Sequence, residues 1–509
     1  MVLRYASFLA LALLRCQVLA TPVERATSSV VSVSLDGVTY VNQGLVAFGL
    51  IPSNAKESTG DTIGGIGSAI AFKPGTWTQL ANGSYTGIIV AQPDRGFNVE
   101  ETIDYQARRH EIAFILTPYT GTAALSFADA QKTLQLTYLN TTLLFERADT
   151  KTSGLDPGDV RPAAADSGAA NPLADPEMPV ASDDEPHLSV DAEGIAINAD
   201  GTYWLSDEYG PYIYLFSADG HLIQTIQPPE AILPLSKKGK LDFTAEDDPD
   251  TGRAANQGKF FVLGLRFIDG ACKGFEGLTL DPLTNTLYAI LQSGTVQDDE
   301  SEYTRLLAYD VSQPSFSVPL IGEWVVPLPV VNDKVEATNE IHYVSPGVFL
   351  CLARDANGHG GSGTMIKYKH IDLFSIAEAT SIAHTDFDDA DTPVAPKGKL
   401  DKDIEPAKYV SFVDYANAQD LARFGLHVGD PDDRTLINAK WESLALAPVG
   451  PSAPNDFFLF TASDNDFLST QGVSLGVPFN AGEDADNQFL VFRVTLPGAS
   501  QGVAKALGL

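Results

Sequence analysis

One unit recurs along this 509-residue chain and sets what it can fold into: a short strand that opens on glutamate, a turn, and an apolar strand that closes on a polar residue. Glu193-Gly-Ile-Ala-Ile-Asn-Ala-Asp-Gly-Thr-Tyr-Trp-Leu-Ser-Asp207 reads as strand, Asp-Gly turn, strand. Units that open on Glu276, Glu340 and Glu442 repeat the pattern, closing near Gln292, Asp355 and Asp464. Weaker copies start at Ser68 and at His110. Each hairpin is apolar on both faces, so it needs a neighbour on each side. Strand repeats of this size argue for an all-β fold, a single β-propeller of about six blades, with seven as the alternative. The strands at Val30–Ser34 and Thr39–Val41 are expected to complete the last blade and close the ring, which removes exposed sheet edges.

Helical spacing is scarce. Val410, Val413, Ala416, Leu421 and Phe424 predict one short helix within residues 406–424. Residues 150–191 are rich in Ala, Pro and Asp and read as an insertion between blades. The domain reading is a leader over 1–20, a closing segment over 21–66, the propeller over 67–496 and a tail over 497–509.

The leader carries Arg4, the apolar run Phe8–Leu14 and small residues before Thr21, the pattern of a cleaved secretory signal. Secretion and an extracellular location follow as expectations. Two sequons, at Asn82 and Asn140, agree with that compartment as glycosylation sites. Beyond the leader only Cys272 and Cys351 remain, expected to pair as one disulfide, with two buried thiols as the alternative. A formal net charge of −33 argues against nucleic acid and against an anionic membrane as partners. It suits cations, and a monomer is expected.

The chemistry concentrates where the hairpins begin and end. First strands of a propeller line its channel, so Glu193, Glu276, Glu340 and Glu442 should face one axis, with Asp207, Asp355, Asp464 and Asn465 near the same mouth. Crowded carboxylates raise one another's pKa unless a cation intervenes. A hard ion with six to eight oxygen ligands answers that need, Ca²⁺ above all, held by Glu193, Glu276, Glu340, Glu442, Asp207 and Asp464. The competing reading is structural, with each Glu capping amides or pairing with Arg95, Lys273, Arg354 or Lys440. Those same bases around an acidic metal site would bind a phosphorylated anion. His359, in a Gly-rich turn after a second strand, is a candidate for catalysis beside Glu276 and Arg354. No Gly-x-Ser-x-Gly elbow, zinc-protease helix or phosphate-binding loop stands at a fitting position.

Gly274-Phe-Glu-Gly-Leu-Thr-Leu-Asp-Pro, the Glu193–Gly210 segment, Lys440-Trp-Glu-Ser-Leu-Ala-Leu and Thr461-Ala-Ser-Asp-Asn-Asp466 resemble the phytase-like family, the group described as having esterase-like activity of phytase. The resemblance spans roughly residues 67–494. It implies a propeller and hydrolysis of phosphoric or carboxylic esters of a small molecule. Another propeller enzyme, such as a lactonase or polysaccharide lyase, and a noncatalytic glycan- or protein-binding propeller are the alternatives.

Overall fold

The computed structural model describes residues 30–97, 102–164, 174–182, 184–236, 239–243, 274–298, 301–314 and 318–509. The fold is all-β, and among the described residues the five sheets of four or more strands form a five-bladed propeller-like ring. The second blade runs in simple order through Ala192–Ile197, Tyr203–Asp207, Ile213–Phe216 and Leu222–Ile226. The third uses Phe275–Asp281, Thr286–Leu291, Tyr303–Asp310 and Leu320–Pro327. The fourth uses Ala337–Ser345, Val348–Arg354, Lys369–Ser375 and Lys408–Asp414.

The expected count of six was one too many. Ala69–Phe72 pairs with Tyr85–Gln92, and that strand pairs in turn with Arg108–Leu116, where Ala91 faces His110. The two weak copies are therefore inner and third strands of a single blade, completed by Leu134–Leu143. Both strands are packed between neighbouring sheets, so both read as apolar runs, and only pairing tells them apart.

In the last blade, Ala445–Pro448, Asp456–Asp464 and Asn487–Thr495 are followed by a strand from the chain's other end, Val38–Ile51. Leu45, Ala47 and Phe48 of that strand are fully buried. Val31–Leu35 adds an outer fifth strand.

The stretch expected to be helical divides in two. Lys408–Asp414 is the outer strand of the fourth blade, and the helix is confined to Ala418–Arg423. Two residues of this strand, Ser411 and Phe412, lie opposite the single residue Asp372 in a β-bulge. The bulge breaks the two-residue alternation and leaves Val410 and Val413 three apart, which mimics helical spacing. The side chain of Asn417 accepts the N–H groups of Gln419 and Asp420, a cap that starts the helix there. The described residues hold two further α-helices, Phe127–Ala130 and Ser500–Leu507, the second where a tail was expected. Val503 and Leu507, four apart, bury on one face of it.

Ile70, Ile195, Leu278, Ile341 and Leu446, one from the first strand of each blade, surround an axial cavity of about 430 Å³ with Leu507 among its walls. The five inner strands thus line the axis, and they approach closely. A Cβ on Gly277 would stand 2.6 Å from the Ile341 backbone nitrogen, and one on Gly194 would stand 2.5 Å from the Leu278 Cβ. The glycine after glutamate in these motifs is there so that adjacent inner strands can touch. Gly277→Ala is expected to cost about 3 kcal/mol, since backbone cannot yield as a side chain does. A denaturation midpoint within error of wild type would refute that account of the Glu-Gly pairs.

Candidate functional site at the channel mouth

At one end of the axis the first strands begin and the second strands end. In the second blade the strand register slips between Ala192 and Gly194, which makes Glu193 the extra residue of a bulge. Such bulges re-aim a side chain. Around Glu193 stand Glu276, Asp191, Glu208 and Glu442, and burial together with these neighbours pushes its carboxyl well above the ordinary range. Asp191, Glu193 and Glu208 bring one carboxylate oxygen each to within 4.8 Å of one another. Asp94, Asp464 and Asp466 form a second such triad. Asp94 is raised by burial first, then by Asp464, with Asp191 and Asp466 adding, so it feels both groups.

Three cations answer these carboxylates at the mouth. Arg95 Nη1 lies 3.2 Å from Asp191 and its backbone N–H donates to the same carboxylate. Lys440 Nζ donates to Asp464 at 2.6 Å and to Asp466 at 2.7 Å. Burial works against the Lys440 charge, but these two acids hold its pKa well above the usual lysine value. Arg354 donates to Glu442 and lies near Glu276 and Asp466. Behind it the buried Lys369 is lowered to about 7, by burial and then by Arg354. Among the described residues, eight carboxylates thus meet three cations at the mouth. Oε2 of Glu442 and Nε of Arg354 are buried with no hydrogen-bond partner among them.

Not every candidate comes to this site. Glu340 does not join the carboxylate group. In the fourth blade the register slips between Thr338 and Glu340, so Asn339 is the extra residue and Glu340 lies one step further along. That step turns the side chain away from its counterparts' direction. Glu340 accepts the N–H groups of Leu278 at 3.0 Å and Ile341 at 2.8 Å, tying the third blade to the fourth, and it borders the axial cavity.

Asp207 is likewise structural. It accepts the backbone N–H of Asp191 and of Gly210 and the hydroxyl of Tyr214, which places Asp191 but leaves little for a metal. Asp355 accepts N–H groups of Asn357, Lys367 and Tyr368. His359 is buried against a different set of groups, with Nδ1 2.8 Å from Asp432 and Nε2 on the Asp484 carbonyl, and does not join the mouth carboxylates. Glu193, Glu276, Glu442, Asp464, Arg95, Arg354 and Lys440 are brought together. Gln292, where other units end on an acid, donates to Glu276 and to Glu208.

Asp94, Asp191, Glu208 and Asp466 belong to the site without having been singled out. Glu208 and Asp466 lie inside the family motifs and Asp191 two residues before one, yet all four lie just outside strands, where strand periodicity does not report direction. Lys273 and Cys272 lie outside the described residues, as does the leader. Cys351 is buried, 3.8 Å from the Thr338 hydroxyl. Asn82 and Asn140 are both exposed.

Residues 80–467 match the family model described as "Phytase-like: Esterase-like activity of phytase". The chain belongs to the phytase-like family. A second member-like sequence, an "Uncharacterized secreted protein" of Arthroderma benhamiae, is 37% identical over 485 residues, covering 86% of this chain and 89% of the relative. Among solved structures, a luciferin-regenerating enzyme is 9% identical with a TM-score of 0.26, over 81% of this chain and 97% of that one. The PQQ-bound aldose sugar dehydrogenase of Streptomyces coelicolor is 10% identical with a TM-score of 0.25, over 89% and 99%. The phytase-like motifs quoted from the sequence are the segments that build the mouth.

Proposed function

We propose that this phytase-like protein is a secreted, calcium-dependent hydrolase of phosphoric esters and that the channel mouth is its active site. The excess of carboxylates, most of them buried, over cations among the described residues there carries the reading. The leader and the secreted relative support the compartment.

The donor set fits a hard cation, because it is made of oxygen alone. The two triads are not equivalent in this respect. Lys440 already neutralises Asp464 and Asp466, whereas Arg95 reaches the other triad at Asp191. Asp191, Glu193 and Glu208, with Glu276 beside them, are the residues that would hold calcium. When bound, the ion would offset the carboxylate charge and polarise a phosphoryl oxygen.

The chain's own part is to receive and orient the anion. Arg354 presents a planar fork suited to two phosphoryl oxygens, and its Nε has no partner among the described residues. Lys440, with 27% of its side chain exposed, offers a point charge 3.8 Å from the same Glu442 oxygen that Arg354 holds. Arg95 holds Asp191 in place and opposes the rise that burial gives its pKa.

Phosphate release from a phosphomonoester should depend on added calcium after metal stripping and should be lost in Glu193→Gln. Calcium should also raise the melting temperature, by about 2.7 kcal/mol of added stability at a hundredfold excess over Kd. Glu276→Gln should blunt that response. No phosphate release from a protein shown by its melt to bind calcium would reject the hydrolase reading. Superimposable melts with calcium and with chelator would reject the ion.

A further inference from the structure

From the outer strands of the fourth blade we infer a second reactive centre, in which Ser411, activated by His370 and Asp414, is a nucleophile toward activated carboxylic esters. The inference is independent of the reading of the channel mouth.

The three residues meet because of the bulge. His370 lies opposite Asp414 in the strand register, so their side chains share a face. Without the bulge Ser411 would point to the other face. The extra residue swings it back, and its hydroxyl lies 2.7 Å from His370 Nδ1. The other ring nitrogen, Nε2, is 3.6 Å from Asp414 Oδ1. A hydroxyl hydrogen-bonded to one nitrogen and, within ion-pair distance of the other, a carboxylate that the Ala416 N–H holds at 2.7 Å follow the nucleophile–base–orienter order of acyl-transfer sites.

The surroundings hold this arrangement still. The ring of Tyr368 stacks on His370 with centroids 4.1 Å apart and planes 8° from parallel. Asp372 Oδ1 is 3.4 Å from His370 Nδ1, but it accepts the Phe412 N–H freed by the bulge. Its second oxygen accepts the hydroxyls of Tyr368 and Tyr409. Asp372 therefore anchors the bulge, and the Ser411 hydroxyl is the closest partner of Nδ1. Burial lowers the His370 pKa, but Asp372 and Asp414 more than offset it, which favours the imidazolium that an acyl transfer requires. Ser411 is exposed, so an ester can reach it, whereas His370 is buried behind it.

The step is balanced without a cofactor. Ser411 Oγ bonds to the acyl carbon as its proton passes to His370. The bond from that carbon to the alcohol oxygen breaks, and His370 returns the proton to the leaving alkoxide. Water then repeats the sequence on the acyl-serine and releases the carboxylic acid.

A phosphonyl fluoride traps such a serine, with fluoride leaving as the serine oxygen bonds to phosphorus. Full-length protein is treated with this reagent and followed by intact mass and peptide mapping. One adduct per chain is expected, on the peptide that contains Ser411, and none in Ser411→Ala. His370→Asn should label at least about a hundredfold more slowly, as loss of a general base requires. Asp414→Asn, a change at a partly exposed side chain, should also slow labelling and serves if the buried variant does not fold. A folded wild type that stays unlabelled or labels elsewhere overturns the inference. So does a folded His370 or Asp414 variant that labels at the wild-type rate.

Discussion

Lys440→Met is expected to cost the protein about 3–5 kcal/mol of folding stability, the usual price of leaving a buried charge without its partner. Lys440 Nζ bridges Asp464 and Asp466 at 2.6 and 2.7 Å, and the Asp464 side chain has no exposed surface. Asp94 stands close enough to be raised by Asp464 and lowered by Lys440. Methionine keeps the length of the side chain but removes the charge, so the three carboxyls would face one another with no cation between them. Adding Asp464→Asn to the same chain should recover part of the loss, because it removes one of the repelling charges. The two substitutions touch, so their effects should not add. Millimolar calcium should also reduce the loss if an ion can take the place of the lysine nitrogen. Denaturant midpoints for the four proteins of this cycle, with and without calcium, read all of these effects. A Lys440→Met midpoint equal to wild type would mean that the mouth carboxylates are not held by this cation.

The larger effect belongs to the ring closure. A chain that starts at Pro52, lacking Val38–Ile51 and the strand before it, should show no cooperative melting transition. The missing strand pairs with Asn487–Thr495 from Val41 to Ile51 and buries Tyr40, Leu45, Ala47 and Phe48. Each large apolar side chain among them is worth about 1.5–3 kcal/mol on burial. Together with the lost strand pairing, this is of the order of a domain's whole net stability, about 5–15 kcal/mol. The truncation also leaves Asn487–Thr495 as a long apolar edge, a template for aggregation. Circular dichroism against temperature and size-exclusion chromatography test this. A soluble truncated chain that melts cooperatively within a few degrees of wild type would show that closure by this strand is dispensable.

What the amino-acid order determined by itself was the class of fold and the end of the axis where its glutamates gather. A hairpin repeat with two apolar faces cannot be satisfied in a two-layer sandwich, and a glutamate at the start of successive inner strands puts charge at one end of one axis. The family resemblance rests on the same segments, because the motifs are the parts of the chain that meet at the mouth. Tertiary structure decided the rest. The blade number depended on whether the His110 strand opens a sheet or pairs as its third member, and an apolar strand packed on both faces looks the same in either role. Asn339, not Glu340, occupies the bulge of the fourth blade, and a one-residue slip reverses the side-chain direction without altering the pattern of residue types. Asp94, Asp191, Glu208 and Asp466 reached the mouth from positions just beyond strand ends, where strand periodicity does not report side-chain direction. Ser411 met His370 and Asp414 across a strand pair and a bulge, from positions 41 and 44 residues from the histidine. Sequence spacing reports neighbours along a strand or a helix face. These contacts run between strands and between blades, where only the register and the packing of the closed ring bring the residues together.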